Sequence, residues 1–300
     1  MDSKKIIAII IPVFNGLDYT RNCLKSLSGL ISNSAFSNHE FKIVVVDDGS
    51  TDGTASWVSE YFPSVHLIFG DGNLWWSGGI NKGVSYALAE LKAEYVLWWN
   101  NDIQPSEDYF EELVKKLENQ SSDTIIGSKI FILNSDRIWG MGGRFDSYTG
   151  LRHMHGEQEN DSEFYKKPLK VDWFPGMGTI IHREVFDRIG FLDERNFPQY
   201  HGDSDFTFRA KKAGFKLIAF PELVIYNDNT NTGLKHNSRF IDLYRTLTNT
   251  KSNYNLKKDI VFYNKHGDSV KAYLPLIKKY FRYIGGFCKW KVLNVFGIKK

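Results

Sequence analysis

An α/β fold with a doubly wound, mostly parallel sheet is predicted by three features of this sequence. Apolar runs of strand length alternate with segments of helical spacing through residue 119, which is the order of a parallel sheet. Tyr95–Trp99 contains five bulky apolar residues in a row, as expected for a strand buried on both faces. That run ends abruptly in Asn100-Asn101-Asp102, and open α/β sheets bind ligands at the carboxyl ends of their strands.

The first part of the chain is predicted to repeat a strand followed by a helix. Pro12 ends the first strand, and Ser50, Thr51 or Asp52 can cap the second helix. The predicted strands are Lys5–Ile11, Lys42–Val46, Val65–Phe69 and Tyr95–Trp99. The predicted helices are Leu17–Ile31, a second ending near Tyr61, a third ending near Lys92, and a fourth with Pro105 in its first turn and apolar spacing through Leu117.

After Asn119 the pattern is less regular. Leu151–Lys170 is polar and is predicted to be a mobile loop, and the chain beyond Ser238 is predicted to be helical and increasingly basic. Further strands are predicted at Thr124–Leu133, Ile138–Phe145, Thr179–His182, Lys216–Phe220 and Leu223–Tyr226. Helices are predicted at Glu184–Ile189 and from the acidic stretch at Asp203 to Ala213.

Composition excludes several classes of protein. Two cysteines rule out a disulfide framework, and no apolar window is long enough for a signal peptide or a membrane span. Residues 271–300 contain eight Lys or Arg and no Asp or Glu. The remaining 30 basic and 35 acidic side chains give residues 1–270 a net charge of about −5, which argues against nucleic-acid binding. The signatures of P-loop, zincin and serine-hydrolase enzymes are missing.

Five short motifs in order resemble the inverting family 2 glycosyltransferases of GT-A fold. They extend over about residues 5 to 225. The motifs are Pro12-Val13-Phe14-Asn15, Val46–Thr54 (VDDGSTDGT), Gly72–Gly83 (GNLWWSGGINKG), Asn100-Asn101-Asp102, and Gly190–Glu194 (GFLDE) continuing into Asp203–Phe206 and Arg209–Phe215. The resemblance implies a GT-A (nucleotide-diphospho-sugar transferase) domain over residues 1–240, followed by a basic helical extension over 241–300. Within that domain, residues 1–119 would be the nucleotide-binding half and residues 120–240 the acceptor half.

The resemblance implies a UDP- or dTDP-sugar as donor. A carboxylate after the second strand can accept a hydrogen bond from the imide N–H of uracil or thymine, with Asp48 preferred over Asp47. Glycines 78 and 79 leave room for a sugar-phosphate, and the helix N-terminus favours its charge. The expected donor contacts are Pro12, Phe14, Asn15, Asp47, Asp48, Asn73, Trp75, Trp76, Gly78, Gly79, Asn81 and Asn101. Of the two tryptophans, we expect only one to face the site.

A divalent cation, Mn²⁺ or Mg²⁺, is the expected cofactor. Asp102 resembles the last carboxylate of the family's metal motif and is a hard oxygen ligand suited to such ions. Asn100 stands where the family usually has an Asp, which predicts weaker metal affinity. The third ligand is left open between His236 and Asp228.

The general base is expected to be Asp203, by its match to the family's catalytic carboxylate. An acceptor hydroxyl attacks well only while losing its proton, which a carboxylate can accept. Gly202 stands where the family usually has Glu, which leaves Asp205 as a second candidate, although Asp205 also suits the first turn of a helix. The expected acceptor contacts are Trp173, Gly176, Met177 and Asp205.

The function predicted from the resemblance is transfer of a sugar, with inversion, to a glycan hydroxyl in O-antigen, capsule or other surface polysaccharide synthesis. The alternatives are a sugar-1-phosphate nucleotidyltransferase, whose Gly-rich loop with Arg is missing after the first strand, and a non-catalytic glycan- or nucleotide-sugar-binding relative.

The C-terminal stretch is predicted to lie on an anionic membrane. It combines basic residues with apolar ones at helical spacing, interrupted at Gly285-Gly286, and would hold the protein on the inner face of the cell membrane. Packing on the catalytic domain or formation of a homodimer is the alternative.

Overall fold

The computed structural model describes residues 4–33, 38–228 and 239–295. Its strands are β1 (Lys5–Val13), β2 (His39–Asp47), β3 (His66–Phe69), β4 (Tyr95–Trp98), β5 (Ile103–Pro105), β6 (Thr124–Ile132), β7 (Ile138–Gly140), β8 (Gly143–Phe145), β9 (Arg152–Met154), β10 (Leu169–Lys170), β11 (Thr179–His182) and β12 (Lys216–Asn227). Its α-helices are α1 (Leu17–Asn33), α2 (Thr54–Tyr61), α3 (Trp75–Ala89), α4 (Tyr109–Asn119), α5 (Arg183–Ile189), α6 (Gly202–Lys212), α7 (Phe240–Thr248), α8 (Leu256–His266) and α9 (Tyr273–Val295).

The chain divides into two compact units. The first comprises Met1–Arg144, Met154–Pro198 and Gly202–Thr230, and the second comprises Phe145–His153, Gln199–His201 and Asn231–Lys300. The second unit therefore includes two short segments that the sequence prediction assigned to the domain over residues 1–240.

The first unit is built on a ten-stranded mixed sheet. Its main path is β10-β12-β6-β11-β4-β1-β2-β3, while β5 pairs with β12 and β7 pairs with β6. The pairs β1–β2, β1–β4, β2–β3 and β6–β12 are parallel, whereas β11 is antiparallel to both β4 and β6. The predicted α/β class with a mostly parallel sheet is confirmed.

The central strands are buried on both faces, as their apolar runs predict. Because successive side chains of a strand point to opposite faces, β1 contributes Ile7, Ile9 and Ile11 to one core and Ala8 and Ile10 to the other. In β4, Leu97 belongs to the first core, with Trp99 just beyond the strand, and Val96 and Trp98 belong to the second. The sheet thus lies between two apolar layers.

Several predicted elements differ from the structure, and the strand predicted at Ile138–Phe145 is two short strands, β7 and β8. Pro105 is not in a helix: it ends β5, whose residues pair antiparallel with the end of β12, and α4 begins only at Tyr109. A proline is tolerated there because it removes only one hydrogen bond from a short edge strand. The predicted strands at Lys216–Phe220 and Leu223–Tyr226 are one strand, β12, with a register shift between Phe220 and Val224.

The segment predicted as a mobile loop at Leu151–Lys170 is ordered. It contains β9, β10 and a 3₁₀ turn at Glu163–Lys166. Lys129, only 5% exposed, donates to Asp161 Oδ2 at 2.9 Å and to the Tyr165 carbonyl at 3.3 Å. These long-range contacts are invisible to a local sequence pattern.

The second unit is mainly helical. Helix α9 runs without a break through Gly285-Gly286, so the interruption predicted there is wrong. In the part of the chain that the structure describes, no helix has the length and apolar content needed to cross a membrane.

Buried Asp259 joins several parts of this second unit. Its carboxylate accepts hydrogen bonds from the Tyr280 hydroxyl at 2.9 Å, from Lys279 and from His201 Nε2 at 2.7 Å. The other ring nitrogen of His201, Nδ1, lies 3.0 Å from a guanidinium nitrogen of Arg152. Since that nitrogen of Arg152 is a donor, Nδ1 accepts, and the His201 proton is on Nε2. Hence the geometry calls for a neutral imidazole.

The pKa of His201 follows from this environment. Burial lowers it to about 3, and the cations Lys258 and Arg152 add to that effect, while the Asp259 hydrogen bond opposes it. The unfolded chain would take up a proton near pH ~6.5, so below that pH the unfolded state binds more protons than the folded one.

We therefore expect His201 to make the protein acid-sensitive. Below pH ~6.5, the His201 contribution to the free energy of unfolding should fall by up to about 1.4 kcal/mol per pH unit, and should level off near the folded-state pKa. Urea unfolding at pH 7.0 and pH 5.5 should show a smaller loss in His201→Gln than in the parent protein. Equal losses in both proteins would mean that His201 is charged in the folded state.

Candidate active site

The carboxyl ends of β1, β2 and β4 meet at one edge of the sheet. Val13 is paired with Asp47, and Ile10 is paired with Trp98, in parallel register. Strand β11 runs the other way beside β4, with Thr179 opposite Trp98, so the residues just before Thr179 lie at the same edge. The predicted motifs after these three strands are therefore brought together, along with Gly176–Gly178.

The loops after β1 and β2 are cross-linked by hydrogen bonds. The Asn15 N–H donates to Ser50 Oγ at 2.9 Å, and the Thr51 N–H donates to Asn15 Oδ1 at 2.7 Å. Asp52 accepts from the N–H of Leu17 at 2.9 Å and from both the N–H and the hydroxyl of Thr54. Asp52 thus serves the first turns of α1 and α2 together, a role that the sequence pattern had suggested for α2 alone.

The paired carboxylates after β2 have different surroundings. Asp48 accepts hydrogen bonds from the Gly72 N–H at 2.9 Å and the Trp75 N–H at 3.1 Å, so it holds the loop that follows β3. Asp47 accepts from the Ser50 N–H with one oxygen. Its other oxygen, Oδ2, is buried and has no hydrogen-bond partner among the described residues. Each carboxylate oxygen has two lone pairs, so both residues retain acceptor capacity.

The two tryptophans at the start of α3 differ in their environment. Trp75 has a φ of 56°, a left-handed conformation that is strained for a bulky residue. Trp76 donates its indole N–H to Asn100 Oδ1 at 2.9 Å, and its ring meets Trp98 edge-on. A Cβ added to Gly176 would lie 2.1 Å from the Trp76 ring, so only glycine allows that contact. Asn100 is thus oriented by Trp76.

Several residues predicted to contact the donor have packing roles in the structure. A Cβ at Gly79 would come within 2.8 Å of Pro12, so this glycine lets α3 pack closely against β1. The Asn81 side chain exchanges hydrogen bonds with the backbone of Leu192 and donates to Glu194. Gly78 is buried, with Leu74 3.3 Å from an added Cβ.

Other predicted donor contacts are more open. Phe14 is 53% exposed, and Asn73 is exposed with its N–H bonded to Asp71. Asn101 donates to Thr20 Oγ1 at 3.0 Å.

Asp102 is the strongest candidate metal ligand. Its Oδ1 is buried with no hydrogen-bond partner among the described residues. Burial raises the pKa of Asp102 to about 6, and the nearby charge of Asp228 raises it as well. The Asp228 N–H donates to the Asp102 carbonyl at 3.1 Å, and Tyr19 donates to Asp228 Oδ2 at 3.3 Å. An orphaned carboxylate oxygen beside a second carboxylate suits a divalent cation.

The other predicted ligands are less informative. His236 lies outside the described residues, and the amide oxygen of Asn100 already accepts the Trp76 indole N–H. The described residues contain no group of three or more His, Cys, Asp or Glu side chains that could hold a metal ion. The sequence suggested Asp228 as an alternative third ligand, and it lies two residues after the predicted strand Leu223–Tyr226.

Asp203 lies in the first turn of α6 and is half-buried. Its Oδ2 accepts the Gly176 N–H at 2.9 Å, which connects it through Gly176 and Trp76 to Asn100. The departure at Gly202 has a packing reason: an added Cβ would lie 2.2 Å from Ser77 Oγ. Ser77 in turn donates to the Phe197 carbonyl at 2.6 Å and fixes the loop ahead of α6. Sequence reasoning missed Ser77, which carries no local signal.

Asp205 is fully buried and receives a hydrogen bond from Arg209 Nε at 2.9 Å. Arg209 also donates to the carbonyls of Ile189 and Phe191. This pairing favours the structural interpretation of Asp205 and argues against its predicted contact with an acceptor.

Trp173 and Met177 are buried as well, with Trp173 donating to the Arg144 carbonyl at 3.4 Å and Met177 in the apolar core. Of the predicted acceptor contacts, Gly176 is the one held beside Asp203.

A mostly parallel α/β sheet with polar loops at the carboxyl ends of its central strands is typical of proteins that bind ligands at that edge. The profile of "Glycosyl transferase family 2" matches residues 8–190. The chain belongs to glycosyl transferase family 2, which the sequence resemblance had predicted.

Relatives with similar sequences are glycosyltransferases. An uncharacterized glycosyltransferase of Rickettsia typhi is 23% identical over 97% of this chain and 90% of its own length. The low-salt glycan biosynthesis hexosyltransferase Agl10 of Haloferax volcanii is 29% identical over 70% of this chain and 63% of its own length.

Solved structures confirm the GT-A fold. GalNAc-T7, solved with UDP, GalNAc and Mn²⁺, superimposes with a TM-score of 0.55 at 12% identity, covering 94% of this chain and 58% of that one. The mannosyltransferase PcManGT of Pyrobaculum calidifontis, solved with GDP-Man and Mn²⁺, gives a TM-score of 0.53 at 15% identity, covering 93% and 70%.

Proposed function

We propose that this family 2 glycosyltransferase moves a sugar from a UDP- or dTDP-sugar to a hydroxyl group of a glycan, with inversion at the anomeric carbon. The observation that carries the proposal is the series of contacts from Asn100 through Trp76 and Gly176 to Asp203. It connects the candidate metal motif to the candidate base across four separate segments of the chain.

The donor would bind at the ends of β1 and β2. Asp48, with Asp47 beside it, offers carboxylate oxygens to the imide N–H of a uracil or thymine ring. The N-terminus of α3 would favour a phosphate because the aligned peptide dipoles of a helix place partial positive charge at that end. The strained backbone of Trp75 at that terminus is consistent with a functional site.

A divalent cation would be held by Asp102, with Asp228 beside it. Such a cation supplies positive charge to a diphosphate leaving group. Asp102 fits this role because its buried Oδ1 has no hydrogen-bond partner among the described residues. Its pKa is raised by burial and by the nearby charge of Asp228, which a bound cation would offset. Asn100, in the same motif, would lie near the cation, with its amide oriented by the hydrogen bond from Trp76.

Asp203 would act as the general base. The Gly176 N–H donates to Asp203 Oδ2 and the Ser204 N–H donates to Oδ1. Because each carboxylate oxygen has two lone pairs, a carboxylate held in this way can still accept the proton of an acceptor hydroxyl. As that proton leaves, the hydroxyl oxygen bonds to the anomeric carbon and the nucleoside diphosphate departs from the opposite face. A single displacement of this kind inverts the configuration.

Replacing the base should separate binding from turnover. We expect Asp203→Asn to bind nucleotide normally, because the amide keeps an acceptor for Gly176, while transfer falls by roughly 10²- to 10⁴-fold. Calorimetric titration with UDP and a transfer assay on the same protein would measure the two effects. Loss of transfer in Asp205→Asn, together with normal transfer in Asp203→Asn, would identify Asp205 as the base. The anomeric configuration of the product, determined by NMR, tests the proposed inversion.

Removing the candidate metal ligand should abolish the metal-dependent activity. We expect Asp102→Ala to lose activity by at least about 10²-fold and to bind Mn²⁺ more weakly, because the cation loses its main carboxylate. Mn²⁺ binding followed by electron paramagnetic resonance gives a readout that does not need turnover. Glu107→Ala, an exposed acid in the same stretch, is the matched control. An unchanged rate of the parent protein in EDTA would contradict the metal proposal.

The acceptor would be a glycan of O-antigen, capsule or other surface polysaccharide synthesis, reached at an anionic membrane. Supporting this, α9 and the turn before it expose an apolar stripe at helical spacing. Its members are Val270 (89% exposed), Leu274 (61%), Ile277 (60%), Phe281 (79%) and Ile284 (38%). Lys271, Lys278 and Arg282 lie among them, and a basic amphipathic helix of this kind lies in the headgroup plane.

Flotation with vesicles tests this placement. The full-length protein should float with phosphatidylglycerol vesicles at low salt and less at high salt, since each cation near the surface contributes about 1 kcal/mol. We expect Ile277→Glu with Phe281→Glu to reduce binding by more than about tenfold. The control is Tyr61→Glu, an exposed aromatic on α2. If both variants float like the parent protein, α9 does not mediate membrane contact.

A further inference from the structure

A large groove runs along α9 within the second unit. Its volume is about 920 Å³, which falls in the range of small-molecule sites, about 300–1,000 Å³. Apolar and aromatic side chains form much of its wall, and none of the described residues that line it is an Asp or Glu. The wall includes Leu151, Leu243, Tyr254, Tyr283, Phe287 and Trp290.

Four cationic side chains among the described residues line this groove, and they differ in their partners. Lys279 is paired with Asp259, and Lys291 lies over the rings of Phe240 and Phe287 at 5.3 and 5.9 Å. Lys278 and Arg282 line the groove one helical turn apart, and neither has a carboxylate partner among the described residues. Two like charges at this spacing repel each other, so an anion between them would be stabilised.

The groove changes character along the helix. Lys278, Arg282, Gly286 and Trp290 follow each other at intervals of four residues and all line it. Within the described part of the chain, no atom lies within 4 Å of the position that a Gly286 Cβ would take, so the glycine leaves the middle of the groove open. Gly286 thus provides space between the cations Lys278 and Arg282 and the aromatic rings of Phe287 and Trp290.

We propose that this groove binds one molecule of a lipid with a phosphate monoester or diphosphate headgroup. The phosphate would lie between Lys278 and Arg282, where Arg can donate two parallel hydrogen bonds to it. The hydrocarbon chain would continue past Gly286 to Phe287 and Trp290. This site is distinct from the exposed stripe of α9, because it takes up a single amphiphile and needs no bilayer. It does not depend on the proposed sugar transfer, so either can fail alone.

Binding of a monomeric lipid to the full-length protein tests the site. The probe is dioctanoyl phosphatidic acid below its micelle concentration, measured by isothermal titration calorimetry, with dioctanoylglycerol and inorganic phosphate as partial ligands. We expect saturable binding with one site per chain, and at least about tenfold weaker binding of each partial ligand.

Two matched glycine variants locate the binding. Gly286→Leu should fill the groove and weaken binding by about tenfold or more. Gly285→Leu is the control, because its added side chain also meets nothing within 4 Å but Gly285 does not line the groove. Lys278→Gln with Arg282→Gln should weaken binding of the phosphatidic acid and leave binding of the diacylglycerol unchanged.

Three results would overturn the proposal. Equal binding by both glycine variants would place the lipid elsewhere, and equal affinity for the diacylglycerol would remove the role of the phosphate. Sedimentation that shows a lipid-independent dimer of the parent protein, and a monomer of Gly286→Leu, would make the groove an interface between two copies of this chain.

Discussion

The hydrogen bond between the Trp76 indole and the Asn100 side chain is the interaction on which the candidate active site depends. Trp76 belongs to α3, Asn100 follows β4, and the Trp76 ring covers Gly176, whose N–H is bonded to Asp203. One side chain thus sets the relative position of three segments that are far apart in sequence. Its polar atom is satisfied and its ring is packed, which is the usual arrangement for a partly buried tryptophan.

Glycine at two positions makes this arrangement possible. Gly176 admits the Trp76 ring, and Gly202 admits Ser77, which holds the loop ahead of Asp203. The unusual Gly202 therefore fits its neighbours and leaves the carboxylate of Asp203 anchored. In the proposed reaction, a base that is held by a backbone N–H would not need to be ordered when the acceptor arrives.

Two carboxylates with a buried, unpartnered oxygen lie just after central strands, where the proposed donor and cation would bind. Asp47 and Asp102 each have a buried oxygen without a hydrogen-bond partner among the described residues, and Asp102 has a raised pKa. Burying such groups is unfavourable, so their presence at the ends of two central strands points to ligands that would compensate them. In the second unit, by contrast, the buried carboxylate of Asp259 accepts hydrogen bonds from His201, Lys279 and Tyr280.

The sequence alone determined the class of the fold and the location of the site, because those depend on local patterns. Apolar runs identify the central strands, and the polar residues that follow Val46 and Trp99 mark the edge where ligands bind. The motif order was enough to predict the family. Local patterns failed where pairing is long-range: Pro105 pairs with β12, and Lys129 holds the 151–170 segment through Asp161 and the Tyr165 carbonyl.

Only the tertiary structure decided which residues of each motif are free to act. Asn81 and Gly79 lie in the donor motif but serve packing, and Asp205 is neutralised by Arg209, one turn further along its helix. The same structure placed Asp228 beside Asp102 and made Trp76 the link to Asp203. The physical reason is that a motif records which side chains are present, whereas burial and hydrogen-bond partners are set by distant parts of the chain.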